Sequence, residues 1–263
     1  MGYYQAYLDG QGVQDIAPGI TVASVQERGA SLDIQQSPHA KYDGTHVIGM
    51  YRRSKQITLN IRLRERHMEA RARLLDQIQA WASAGGALTV NYRPHQRLRV
   101  VCTGYPDFGG KWKWMEELAL VFTAYGTPFW EDENLTVAYL PAASTSTELA
   151  IQPPGTAAEC FLRWKITNSG SGTLTALKLA SQDNGSFITL NGLSIAPGGQ
   201  VIGDYDAVNG YLTIRDGDGN SLLNKRNADS YDDIILSQRA GNTIRITADS
   251  QVTGLISARG LYL

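Results

Sequence analysis

KWKWMEELALVFTAYGTPFWEDE, residues 111–133, is the stretch on which the fold turns. Leu118, Leu120, Phe122 and Ala124 fall on one face at period two. Glu117, Ala119, Val121 and Thr123 fall on the other, the alternation of a half-buried strand. It breaks at Gly126-Thr127-Pro128. Proline has no N–H for a ladder, so pairing must end by Pro128. Phe129 and Trp130 then open a new segment with large apolar side chains to bury, followed by Glu131, Asp132 and Glu133.

Upstream, Ile57, Leu59, Ile61 and Leu63 alternate with Thr58, Asn60, Arg62 and Arg64, a second strand with one core face. Residues 65–84 form the one convincing helix. Met68, Leu74, Leu75, Ile78 and Trp81 or Ala82 make its apolar stripe, and Gly85-Gly86 its stop. Strands are expected at 20–26 and 31–36, with 27–30 as the turn between them, and at 87–92 and 98–103. Residues 37–55 read as irregular, an arm or β-extension, since long loops in compact domains are often functional. One helix among several strands without βα alternation gives an α+β domain over residues 1–140.

Downstream, residues 141–158 are rich in Ser, Thr, Ala and Pro and read as an exposed connection. Short strands separated by turn signals then fill 159–263: 160–167, 173–179, 187–190, 200–204, 211–215, 243–248 and 254–263. That spacing is a β-sandwich pattern. The fold class is therefore mainly β with one helix.

At 263 residues the chain suits one large or two ordinary domains, and its 43% apolar content excludes wholesale disorder. A net charge of −1 is not that of a dedicated nucleic-acid binder. Charge is uneven all the same: residues 52–73 carry eight Arg or Lys against two Glu. Complementary charge sets register between subunits, so Arg52, Arg53, Arg62 and Arg64 are candidate inter-subunit contacts, with Glu131, Asp132 and Glu133 as their counterparts. Two cysteines, Cys102 and Cys160, without CxxC spacing suggest buried, inert thiols in a reducing compartment. No signal peptide and no apolar run of about 20 residues is present, so a soluble protein with no membrane partner is expected.

The order of these parts resembles the siphophage distal tail protein over nearly the whole chain. The resemblance rests on the Pro128-Phe129-Trp130 corner, the Gly203-Asp204-Tyr205-Asp206 segment and the Tyr211-Leu212-Thr213-Ile214 strand. It rests also on residues 236–244, LSQRAGNTI, and a short terminal strand. Thr127 stands where the family usually has Asp, and Ala240 where Pro is common. The resemblance implies a tail-tube-like first domain that builds a hexameric ring, and a galectin-like sandwich facing outward. The implied function is a structural virion protein, not an enzyme, of a long non-contractile phage or prophage tail. Its ring joins the tail tube to the tail-tip or baseplate hub and anchors host-recognition components. Implied partners are further copies of the chain, the tail tube protein and a hub or tail-associated lysin-type protein; tape measure and receptor-binding proteins are further candidates. The implied location is the virion tail tip, after assembly in the host cytoplasm.

The rival reading is a β-sandwich adhesin or carbohydrate-binding module with an accessory α+β domain. Trp164, Tyr205, Tyr211 and Tyr231 are its candidate sugar-stacking side chains. A hydrolase would need a constellation such as Asp204 with Asp206, which strand-edge solvation explains equally. Asp216-Gly217-Asp218-Gly219-Asn220 begins like a calcium loop, but Ser221 and Asn227 stand where an EF-hand needs Gly and Glu. His39, His46, His67 and His95 form no ligand motif, and no nucleotide fingerprint occurs, so no metal and no cofactor are expected.

Overall fold

The computed structural model describes residues 4–38, 45–65, 67–106, 117–206 and 210–263. Internal contacts divide the chain into two units, Met1–Trp130 with Leu263, and Glu131–Tyr262. Both are built almost wholly of strands, and one α-helix occurs among the described residues.

The first unit contains β1 (Ala6–Leu8), β2 (Gln11–Gly12), β3 (Ile20–Arg28), β4 (Leu32–Pro38), β5 (Thr45–Arg52) and β6 (Gln56–Leu63). Helix α1 (Met68–Ser83), β7 (Gly86–Val90), β8 (Gln96–Gly104) and β9 (Glu117–Ala124) follow. The main sheet is antiparallel in the order β3-β6-β9-β8-β7-β1-β2. The alternating face of β6 (Ile57, Leu59, Ile61, Leu63) is buried, and so is that of β9 (Leu118, Leu120, Phe122, Ala124). Residues 112–116 of the expected last strand lie outside the described residues. The helix buries Arg71, Leu74, Ile78, Trp81 and Ala82. Trp81 meets Phe122 edge-on at 6.0 Å and donates from Nε1 to the Gln11 carbonyl at 2.9 Å. The expected stripe is thus shifted: Met68 is 55% exposed, because the buried face begins one turn later at Arg71.

One expectation for residues 20–55 needs correction, and another, the arm or β-extension over 37–55, takes a definite form. Residues 27–30 do not turn β3 back onto β4. Strand β3 continues through Arg28 and pairs with β6, from Ile20↔Leu63 to Arg28↔Gln56. Strand β4 pairs instead with β5, from Leu32↔Arg52 to Pro38↔Thr45, in a separate two-stranded sheet. The region read as irregular is therefore a β-hairpin arm.

In the second unit β10 (Trp130–Tyr139) leads to β11 (Ser144–Ile151), β12 (Glu159–Asn168), β13 (Leu174–Ser181), β14 (Phe187–Ile195), β15 (Gln200–Asp206) and β16 (Tyr211–Asp216). Strands β17 (Ile235–Ser237) and β18 (Asn242–Tyr262) complete it. The stretch read as a connection contains a strand. Its Ser and Thr residues face water, while Leu149 and Ile151 are buried as β11 pairs with β18. The two terminal strands expected at 243–248 and 254–263 are one. The first half of β18 pairs with β11 and β13, and the second half with β12. It thereby passes from a β11-β18-β13-β14 layer into a β18-β12-β15-β16 layer, as strands do at sandwich corners.

Gly254 lies just beyond that passage, opposite Ile166 in the β12 ladder. Its φ is +143°, and a Cβ there would lie 2.1 Å from the Lys165 carbonyl oxygen. Two buried asparagines pin the loops on either side. Asn168 donates to the Gly172 and Ile195 carbonyls and accepts from Ser250 and the Gly170 N–H. Asn242 accepts from the Ser237 N–H and donates towards the Ile151, Ser237 and Ala240 carbonyls. Asn242→Ala leaves those groups short of partners and is expected to destabilise the unit by about 2 kcal/mol. Gly254→Ala, combining backbone strain with a backbone clash, is expected to exceed it at about 3 kcal/mol. Urea unfolding of both variants measures the order; equal stability of Gly254→Ala and the wild type would refute the role given to Gly254.

Candidate functional site

The corner after β9 is anchored by one carboxylate. Trp130 is fully buried, and its Nε1 donates to Glu27 Oε2 at 3.1 Å. The same carboxylate accepts from Lys55 Nζ (3.3 Å), Tyr92 Oη (2.6 Å), Arg93 Nε (2.8 Å) and Arg93 Nη2 (3.1 Å). Lys55 is 3% exposed, and both cations lie over the Trp130 ring, Lys55 Nζ at 5.9 Å and the Arg93 guanidinium carbon at 5.2 Å. Burial alone would push the Glu27 carboxyl up. The hydrogen bonds from Arg93, Tyr92 and Trp130 overcome this and hold it down at about 2. Sequence reading assigned Glu27 to a turn and missed this cluster.

A pH dependence follows from that shift. A carboxyl whose pKa is depressed on folding stabilises the protein above its unfolded pKa and loses that stabilisation as pH falls. The contribution of Glu27 should therefore disappear between the ordinary glutamate value of 4.5 and about 2. Glu27→Gln is expected to lower stability by about 3 kcal/mol at neutral pH and to flatten the loss in that acid window. Thermal melts of both proteins across the window provide the measurement.

The charged candidates fall into distinct settings. Arg53 pairs with Asp33 at 2.7 Å, and Tyr51 donates to the same carboxylate at 2.9 Å, tying β4 to β5 at the base of the arm. Those two partners hold the Asp33 carboxyl below its usual range. Arg62 is bonded to Glu117 on the neighbouring strand β9, so its charge is matched within its own subunit. Arg52 and Arg64 are exposed. Glu131 is only 4% exposed and lies 3.9 Å from Arg259, and Asp132 accepts from Tyr262 at 3.4 Å. Of the acidic run, only Glu133 is an exposed residue. The structure does not bring the basic and acidic candidates into one cluster within either unit.

The arm is the most apolar exposed element. Leu32, Ile34, Val47, Ile48, Met50 and Tyr51 are each between 42% and 64% exposed, with Ile34 directly opposite Met50.

In the second unit Trp164 is 1% exposed and presents no face to a ligand. It sits opposite Gly203, where a Cβ would come within 2.1 Å of its ring. Tyr205 stacks on Phe161 at 3.6 Å, and Tyr231 packs edge-on against Phe187. Tyr211 is half exposed and lines a pocket of about 400 Å³ together with Leu223, Arg226, Asp232 and Asp233. Asp204 pairs with Arg163 at 3.0 Å. The Asp216 carboxylate is occupied by the Asp218 and Asn220 N–H groups and the Asn220 amide of its own turn. Among the described residues no group of three or more His, Cys, Asp or Glu side chains could hold a metal ion. His39 lies outside the described residues. Both cysteines are free thiols, and burial pushes Cys160 up to about 12, which leaves it protonated and unreactive. Among the described residues no helix is long and apolar enough to cross a membrane.

No family model matches the sequence, and no curated protein matches it. Solved structures do match. The phage SPP1 Dit (gp 19.1) protein, described as a paradigm of the hub adsorption apparatus in phages infecting Gram-positive bacteria, aligns over 100% of both chains with 14% identity and a TM-score of 0.72. Chains of the phage P2 baseplate in its activated conformation also align, over 98% of this chain and 97% of theirs. The calcium form gives 9% identity and a TM-score of 0.48, the strontium form 10% and 0.45. From end to end, this chain has the fold of a phage tail-tip hub protein.

Proposed function

We propose that this protein is a non-enzymatic structural component of a phage or prophage tail tip. It forms a hexameric ring between the tail tube and the tail-tip hub, and anchors the components that recognise the host. The observation that carries this reading is the correspondence with the Dit fold over 100% of both chains. Its partners are other copies of itself, the tail tube protein and a hub protein of the lysin-bearing type, with tape measure and receptor-binding proteins beyond them. It works at the virion tail tip after assembly in the host cytoplasm.

The β4–β5 arm supports self-association. A two-stranded hairpin is marginally stable alone, and this one leaves large apolar side chains in water. A ring of identical subunits uses heterologous contacts, in which one surface meets a different surface of the neighbour, and an arm reaching onto the next subunit meets that requirement. Arg52, Arg53, Arg64 and Glu133 then serve as polar contacts around the apolar ones. Arg62, matched by Glu117, is left a minor part in assembly.

Negative-stain electron microscopy with light-scattering mass on the same sample tests the ring. Six-fold rings at six times the chain mass, or two such rings stacked, are expected. Ile34→Asp combined with Met50→Asp should give monomers with an unchanged circular dichroism spectrum. A wild-type monomer that neither tail tube nor hub protein converts into a ring would overturn the proposal.

A further inference from the structure

We propose that the pocket beside the start of β16 in the second unit is a saccharide-binding subsite, with Tyr211 as its ring platform and Asp233 and Arg226 as its polar anchors. At about 400 Å³ it lies within the range of small-ligand sites and accommodates one or two pyranose rings. Tyr211 is 50% exposed and Leu223 40% exposed on its wall, so apolar surface waits there for the C–H face of a sugar.

The polar groups select the ligand chemistry. Arg226 Nη2 donates to Asp232 Oδ1 at 3.1 Å, which orients the guanidinium and leaves other N–H groups of its five-donor fork for a ligand oxygen. Asp233 Oδ1 is buried and has no hydrogen-bond partner. A flip about χ2 only exchanges the two equivalent oxygens, so one stays buried, and Asp233 meets the pocket as one of its lining residues. What it lacks is a donor. Burial and the neighbouring Asp232 both raise the Asp233 carboxyl, and Arg226 only partly opposes them.

Three ligand classes can be compared on these groups. A phosphate or carboxylate would face two acidic side chains. An ammonium group would face Arg226. A neutral polyol is repelled by neither, and each hydroxyl both donates and accepts, which matches a carboxylate beside a guanidinium. Only a ring polyol also offers an apolar face to Tyr211. The inference concerns the second unit alone and stands whether or not the chain assembles into rings.

Saturation-transfer NMR on the full-length protein tests it, using methyl glycosides of glucose, galactose and N-acetylglucosamine, with glycerol as a polyol lacking a ring face. Transfer to ring C–H protons of at least one glycoside is expected, and none to glycerol. Tyr211→Ala and Asp233→Asn should each weaken binding about tenfold. Tyr139→Ala, at a more exposed tyrosine outside the pocket, should leave binding unchanged. Asp233→Asn should also melt at or above the wild-type temperature, because it removes repulsion from Asp232; a purely structural acid would instead lose stability. No transfer from any glycoside, equal transfer from glycerol, or binding indifferent to both pocket substitutions would overturn the proposal. Electron microscopy of the same samples reports on ring formation separately.

Discussion

The Glu27 carboxylate accepts five hydrogen bonds from four side chains, and the geometry of the first unit converges on them. It sits one position from the end of β3; its partners come from the entry to β6, the turn after β7 and the corner that opens β10. A partly buried carboxylate beside two cations is unfavourable unless nearly every lone pair is used, and here the two oxygens are saturated. That saturation has a structural consequence. Trp130 must enter the core where the chain leaves the first unit, because its indole N–H and its ring face are both engaged there. The Gly126-Thr127-Pro128 break makes the turn, and Glu27 fixes where it leads.

Much of the strand pattern was legible because side-chain alternation is a local property. The faces of β6 and β9 could be read from their own residues. What was not legible was pairing. Residues 27–30 carry turn chemistry that serves a β3–β4 hairpin as well as a β3 that runs on to β6, and nothing local separates the two. The deciding interactions reach from Glu27 to residues 28, 65, 66 and 103 positions away. The helix stripe slipped for a related reason: Arg71 occupies a buried position that an apolar pattern search passes over.

The second unit shows the same division. Residues 144–151 look like a linker by composition, yet they end in the alternation of a strand with one wet face, Glu148 and Ala150 exposed and Leu149 and Ile151 buried. The segment Gly203-Asp204-Tyr205-Asp206 supported the family likeness without a reason attached. Its glycine now has one: Trp164 lies directly across the ladder and fills the space of a Cβ. Asn242, in the other segment behind the likeness, closes its own turn and reaches back to Ile151. Both motif residues are packing and hydrogen-bonding devices, which is why they announce a fold more clearly than an activity. The candidate site was half legible. Tyr211 was named among four aromatic residues, but only the tertiary structure separates it from the buried Trp164, from Tyr205 stacked on Phe161, and from Tyr231, which is as exposed but lies outside the pocket.

Polar burial is satisfied at some sensitive points and not at others, and the difference bears on function. Asn168 and Asn242 are surrounded by partners, and Glu27 is saturated. Asp233 is not, although a second acid adjoins it and burial already disfavours its charge. Trp164 Nε1, Ser181 Oγ and the Nε and Nη2 atoms of Arg71 also lack partners, but those residues are buried, where the alternative is a rearranged core. Asp233 borders open space, and a change to Asn or Ser there would relieve the repulsion without repacking anything. Local disagreement between residue and environment, in a fold whose other motif positions are mutually consistent, is the physical signature of a position kept for something outside the fold.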